Sequence, residues 1–160
     1  MFRKFILGLL ALLTMLFVLD LSAQMASYGL PISVDTAKKL SAAAITEARK
    51  NNWTMAVAIT DINGDLVYFE KMDGTQTGSV KVAIGKARSA ALFKRPTKAF
   101  QDALAAGGEG LRVLGIEGAV PVEGGLPLLL DGKIIGAIGC SGGTSQQDGV
   151  AAKAGADALK

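Results

Sequence analysis

The stretch from Glu123 to Gly143, EGGLPLLLDGKIIGAIGCSGG, constrains the fold of this chain more than any other. A Gly-Gly-Leu-Pro turn leads into an apolar run, Asp131-Gly132 reverses the chain, and a second apolar run ends in closely spaced glycines. Asp-Gly readily accepts the positive φ that a tight hairpin needs, and two strands joined this way are antiparallel neighbours. The same stretch mimics two chemical signatures. Gly139-Cys140-Ser141-Gly142-Gly143 fits the G-x-S-x-G serine elbow, but the chain contains no histidine and too little of it follows to supply a base and an acid. Without a base the Ser141 hydroxyl is a poor nucleophile at neutral pH. Gly136, Gly139 and Gly142 loosely resemble a dinucleotide loop, yet that unit needs a second parallel strand after its helix, and here the helix ends the chain. What survives is a capped helix start at Thr144 or Ser145, whose exposed amides suit an anion.

The absence of histidine reaches further. It removes Ser-His-Asp and Cys-His catalysis, histidine-ligated zinc and histidine-ligated haem. The single cysteine, Cys140, forms no intramolecular disulfide and cannot build a thiolate cage; in an apolar strand it reads as a buried, inert thiol. A formal charge of +3 over 160 residues gives no basic stripe of the kind nucleic-acid binding requires. Arg3 and Lys4 followed by the apolar run Phe5–Leu19 and the small residues Ser22 and Ala23 have the layout of a secretory signal peptide, residues 1–23. The run is shorter than a spanning helix needs. The expected location is therefore periplasmic or secreted, with no stable membrane span in the mature chain; an uncleaved N-terminal membrane anchor is the alternative. The remainder is long enough for one domain with one core.

Along that remainder, Ala37, Leu40, Ala44, Ile45 and Ala48 recur at helical spacing, which predicts an amphipathic helix over Val34–Lys50 with Ser33 as its cap. Met55–Thr60 and Leu66–Lys71 read as strands around an Asn63-Gly64 hairpin. Ser79–Phe93 reads as a helix with a small-residue face, Pro96-Thr97 as a stop and Lys98–Ala106 as a short helix capped by Thr97. Gly107–Gly110 is a connector. Ala119–Glu123, Leu126–Asp131 and Lys133–Ser141 read as three strands, and Ser145–Leu159 as a closing helix. The expected architecture is an α-β-α sandwich of the α+β class, with a five-stranded, mainly antiparallel sheet.

A basic group of Lys81, Lys86, Arg88, Lys94, Arg95 and Lys98 lies on and just after the middle helix and reads first as a solvated face. Its functional version has Arg88, Arg95 or Lys98 meeting a ligand carboxylate, because arginine offers a bidentate fork. Phe93, Pro96 and Thr97 lie beside those charges, a pairing that suits an amphiphilic anion. Asp61, Asp65 and Asp73 flank turns and read as turn chemistry, with cation binding as the minor alternative.

Taken in order, Asp61-Ile62-Asn63-Gly64, Phe69–Gly74, Lys86-Ala87-Arg88, Phe93, Pro96-Thr97, Gly124-Gly125-Leu126-Pro127, Gly136–Gly143 and Gln147-Asp148 resemble the GlcG/HbpS family, which includes the C-terminal domain of PduO-type proteins. The resemblance runs from about Ile32 to the chain end, so residues 32–160 are expected to be one such domain. It implies a profilin-like sandwich, a homo-oligomer and haem as a possible ligand. On that basis the expected function is an exported small-ligand-binding protein that takes haem or a related tetrapyrrole, in haem handling or redox sensing. Arg88, Phe93, Arg95, Pro96, Thr97, Gly124, Gly125 and Pro127 would form the ligand site, and Tyr68 and Met72 are the candidate iron ligands. The alternatives are an enzyme or enzyme accessory acting on haem or a small organic acid, and an oligomeric scaffold without a small ligand. No catalytic constellation is visible in the sequence.

Overall fold

In the computed structural model, residues 25–159 are described, and the predicted signal peptide lies outside them. Helix α1, Val34–Lys50, starts where Ser33 Oγ accepts the Thr36 amide at 3.2 Å, carries Asp35 in its first turn and Arg49 and Lys50 in its last. Its Ala37, Leu40, Ala44, Ile45 and Ala48 are buried as the spacing predicts. Strand β1, Ala56–Thr60, is buried along its length, and β2 is Leu66–Lys71. The turn between them follows the predicted chemistry: Asp61 Oδ1 accepts the amides of Asn63 at 2.8 Å and Asp65 at 3.0 Å, and Gly64 takes φ +79°. Helix α2, Gly78–Phe93, ends at Lys94 in the left-handed conformation, φ 53°. Helix α3, Thr97–Ala105, a 3₁₀ stretch over Gly108–Gly115, strands β3, Gly125–Leu130, and β4, Lys133–Ser141, and helix α4, Ser145–Asp157, complete the order.

The four strands form one antiparallel sheet in the order β2-β1-β4-β3. Because β1 and β4 are central, both of their faces are covered, which is why they read as near-continuous apolar runs. On one face Val57, Ile59, Ile138 and Cys140 pack with Leu40, Ala44 and Ile45 of α1 and Ala151 and Ala152 of α4. On the other, Ala56 and Ala58 meet Ala83 and Ala87 of α2. The described residues thus bury apolar side chains on both faces of the sheet, with α1 and α4 over one and α2 over the other.

Two expectations are corrected. The sheet has four strands rather than five, because Ala119–Glu123 is irregular. Pro121 has no N–H, Gly118 takes φ +81°, and side chains take two of the amides: Ser89 Oγ accepts that of Val120 at 3.1 Å and Gln101 Oε1 that of Glu123 at 2.8 Å. A segment before α1 instead runs beside the start of β4. Tyr28 bridges Ile134 in parallel, and Gly29 and Ile32 donate to the carbonyls of Ile134 and Ile135, each at 2.8 Å. Thr97 is not the cap of α3 either. Pro96 holds that position, and the buried Thr97 hydroxyl points to β3.

The close approach of α2 to the sheet depends on small residues. A Cβ on Gly139 would collide with the Ala83 carbonyl oxygen and lie 3.0 Å from Ala87 Cβ. Gly139→Ala is expected to destabilise by about 1–3 kcal/mol through overpacking. A melt should therefore show a Tm several degrees lower, whereas Gly115→Ala, which meets nothing within 4 Å, leaves Tm unchanged.

Candidate functional site

The small-residue stripe of α2 places position 86 in line with Ala83, Ala87 and Ala90, so Lys86 faces inward and is fully buried. This removes it from the solvated basic face that the sequence suggests. Its Nζ donates to Asp148 Oδ2 at 2.7 Å and to the Cys140 carbonyl at 3.1 Å. Asp148 stands in the first turn of α4, whose start carries a full capping box between Thr144 and Gln147. Its second oxygen, Oδ1, accepts the amides of Gly142 and Gly143, each at 3.0 Å. The anion held here is the chain's own carboxylate, and the amides that hold it are those of Gly142 and Gly143 ahead of the helix rather than those of its first turn.

Burial pushes the Asp148 carboxyl up, and Lys86 and the two glycine amides oppose that shift. Burial, and then the Asp148 charge, push the Cys140 thiol up as well, with Lys86 opposing. Cys140 is wholly buried and protonated, so it is no nucleophile. Ser141 Oγ lies 3.1 Å from Ser79 Oγ with no base beside it.

The turn before β3 rests directly on this ion pair. A Cβ on Gly124 would fall 2.8 Å from both Asp148 Cβ and the Cys140 carbonyl oxygen and 2.9 Å from Lys86 Nζ, and the φ of +122° itself favours glycine. The next residue, Gly125, donates its amide to Thr97 Oγ1 at 2.9 Å. That bond ties the start of α3 to the start of β3. On the outer side of the two tied segments opens a groove of about 370 Å³. Lys94 and Pro96 form one wall, Leu126, Pro127 and Leu129 another, and Ile134, Ala156 and Lys153 contribute from β4 and α4.

The structure brings several of the predicted site residues together around this groove. Pro96 and Pro127 line it, whereas Thr97, Gly124 and Gly125 are buried behind its walls. Arg95 donates to the Phe93 carbonyl at 3.1 Å, and its guanidinium lies over the Phe100 ring, which Phe93 meets edge-on at 5.3 Å. Arg88 packs elsewhere, against the Gly64 turn. Tyr68 and Met72 pack on the α1–α4 face of the sheet. The Tyr68 hydroxyl lies 3.5 Å from Glu70 Oε2, which also accepts from Ser41. Lys94, Lys153 and Asp148 were missed as site residues. For Lys86 and Asp148 the available signal was a lysine on a small-residue stripe and an acid just after a Gly-Gly helix start.

Comparison with known proteins gives consistent relatives. A family model described as "Haem degrading protein HbpS-like" matches residues 32–157. Protein GlcG of Escherichia coli K12 is 37% identical over 110 residues, covering 69% of this chain and 81% of GlcG. A crystal structure of a double mutant of HbpS from Streptomyces reticuli superposes with a TM-score of 0.76 at 27% identity, over 84% of this chain and 90% of that one. A crystal structure of a PduOC–haem complex superposes with a TM-score of 0.72 at 27% identity, over 81% of this chain and 95% of that one.

Removing the buried carboxylate tests the network. Asp148→Ala strands the Lys86 ammonium and is expected to cost about 3–5 kcal/mol in urea unfolding. The double variant Lys86→Met/Asp148→Leu should recover part of that loss, because it removes both charges together.

Proposed function

The chain belongs to the HbpS-like family, and from that premise we propose that it binds haem or a related tetrapyrrole in the groove between Pro96 and Pro127. The groove's composition carries this reading: a largely apolar lining with Lys94, Lys153 and one acid, Asp157, which Lys153 meets at 2.7 Å. A flat apolar macrocycle with ionised carboxylates has the matching chemistry, since its ring removes apolar area from water while its carboxylates meet ammonium groups. The PduOC relative crystallised with haem supports the same ligand class.

The donor set defines how the ligand would be held. None of the groove-lining residues is His, Cys, Met or Tyr, and Tyr68 and Met72 lie on and just after β2, at the opposite edge of the sheet from β3. Binding in this groove therefore rests on the ring and its carboxylates rather than on the iron. Arg95, beside the groove through Met25 and Ala26, adds a further cation for a carboxylate. Thr97, Gly124 and Gly125 act from behind by fixing the distance between the proline walls. Export, read from residues 1–23, completes the proposal.

Titration with hemin and with metal-free protoporphyrin, followed by absorbance and by quenching of Trp53 fluorescence, is expected to give affinities within about threefold of each other. Lys94→Glu/Lys153→Glu should weaken both by roughly tenfold. Saturable binding of hemin alone would overturn the groove reading, and no binding of either would overturn the ligand class. With a reductant present, unchanged haem marks a binding protein and bilin products an enzyme. Mass spectrometry of the protein recovered from an export-competent host should show an N-terminus at Gln24, and an intact Met1 would contradict export with cleavage.

A further inference from the structure

The geometry points to a second surface, which adjoins the ligand groove at Leu129, Lys94 and Lys153 and extends beyond it: a face that docks on an anionic lipid headgroup layer. It surrounds the outer edge of β3. A second, larger groove of about 520 Å³ lies there between the Gly29–Ser33 segment and the β3–β4 hairpin, and its lining shares Leu130, Asp131 and Leu159 with a further groove that reaches Pro127 and Leu129. Apolar side chains project from this face. Leu30 is 87% exposed between Gly29 and Pro31, and Leu129 and Leu130 are 53% and 46% exposed on the edge strand.

A cluster of protruding leucines beside an apolar groove marks a contact surface, and the charges around them select the partner. Lys39 and Lys133 line the larger groove with a single acid, Asp131. At the other end are Lys94, held over the Tyr28 ring at 4.0 Å, and Lys153, which pairs with Asp157. In a two-fold contact with a second copy, only Asp131 and Asp157 of this face would be there to answer the four lysines. An anionic headgroup layer would instead pair with them while the leucines enter the acyl boundary.

The direction of the chain agrees. Met25 lies at this face, with Arg95 Nη2 at 4.0 Å from its Sδ, and Ala26 lines the groove beside Lys94. The apolar run Phe5–Leu19 precedes them in sequence, separated from Met25 by Asp20–Gln24. Anchored through that run or newly released from it, the chain would present this same end to the bilayer.

The test is sedimentation of residues 24–160 with vesicles of phosphatidylcholine alone and with about one third phosphatidylglycerol. Binding is expected to the anionic vesicles, to weaken as salt rises, and to fall at least about tenfold in Leu30→Glu/Leu130→Glu, with Lys39→Glu/Lys133→Glu also weaker. Leu114→Glu, 69% exposed on the 3₁₀ stretch, should bind as the parent does, and circular dichroism should show every variant folded. No sedimentation with anionic vesicles, equal binding to neutral ones, or unchanged binding by the leucine variant would each overturn the proposal. So would an oligomer that dissociates in Leu30→Glu/Leu130→Glu while lipid is ignored, because the face would then be a self-interface. Porphyrin affinity measured on the same variants separates this surface from the ligand groove.

Discussion

The buried contact between Lys86 and Asp148 is the interaction on which the arrangement depends. Neither side chain is more than a few per cent exposed, yet every strong demand is met: Lys86 serves Asp148 and the Cys140 carbonyl, and Asp148 serves Lys86 and two glycine amides. A buried ion pair of this kind adds little net stability over an apolar substitute, but it tolerates only one geometry. Here that geometry fixes α2, the end of β4 and the start of α4 relative to one another. The Gly124–Gly125 turn then lies so near the pair that a Cβ on Gly124 would have no room.

The small residues follow from that requirement. For Lys86 to reach across to α4, helix α2 must lie almost on the sheet, and Ala83, Ala87 and Gly139 leave no side-chain bulk between them. Gly124 and Gly125 meet the same need on the neighbouring strand. The groove is a consequence at the surface. Its two proline walls are the outer sides of segments whose inner sides are clasped by the Thr97–Gly125 hydrogen bond. A ligand there meets walls set by the buried network rather than by mobile loops.

How much of this the sequence reveals depends on the range of the interaction concerned. Helix α1, both hairpins and β4 were legible because their signals are local: a Ser33 cap, an Asn63-Gly64 turn, an Asp131-Gly132 turn and apolar periodicity. Ala119–Glu123 misled because its alternation suits a strand, while its fate was decided by distant partners, Ser89 and Gln101, that accept its amides. Lys86 was counted with its charged neighbours because charge dominates a linear reading. Its burial follows from helical phase, and the phase was legible in Ala83, Ala87 and Ala90. The Thr97 hydroxyl likewise looked like a cap until the fold brought Gly125 to it. Segments that carry the family resemblance, Lys86, Pro96-Thr97, Gly124–Pro127 and Asp148, meet in this one region. The resemblance did not separate those that would touch a ligand from those that hold the walls.

The central claim is that the ligand surface lies outside the buried network, between Pro96 and Pro127, at the β3 edge of the sheet rather than at the β2 edge that carries Tyr68 and Met72. Backbone amide shift mapping on addition of metal-free protoporphyrin tests it most directly. The account predicts perturbations concentrated at Lys94, Leu126, Leu129, Lys153 and Ala156. Perturbations centred instead on Tyr68, Met72 and Arg88 would contradict it.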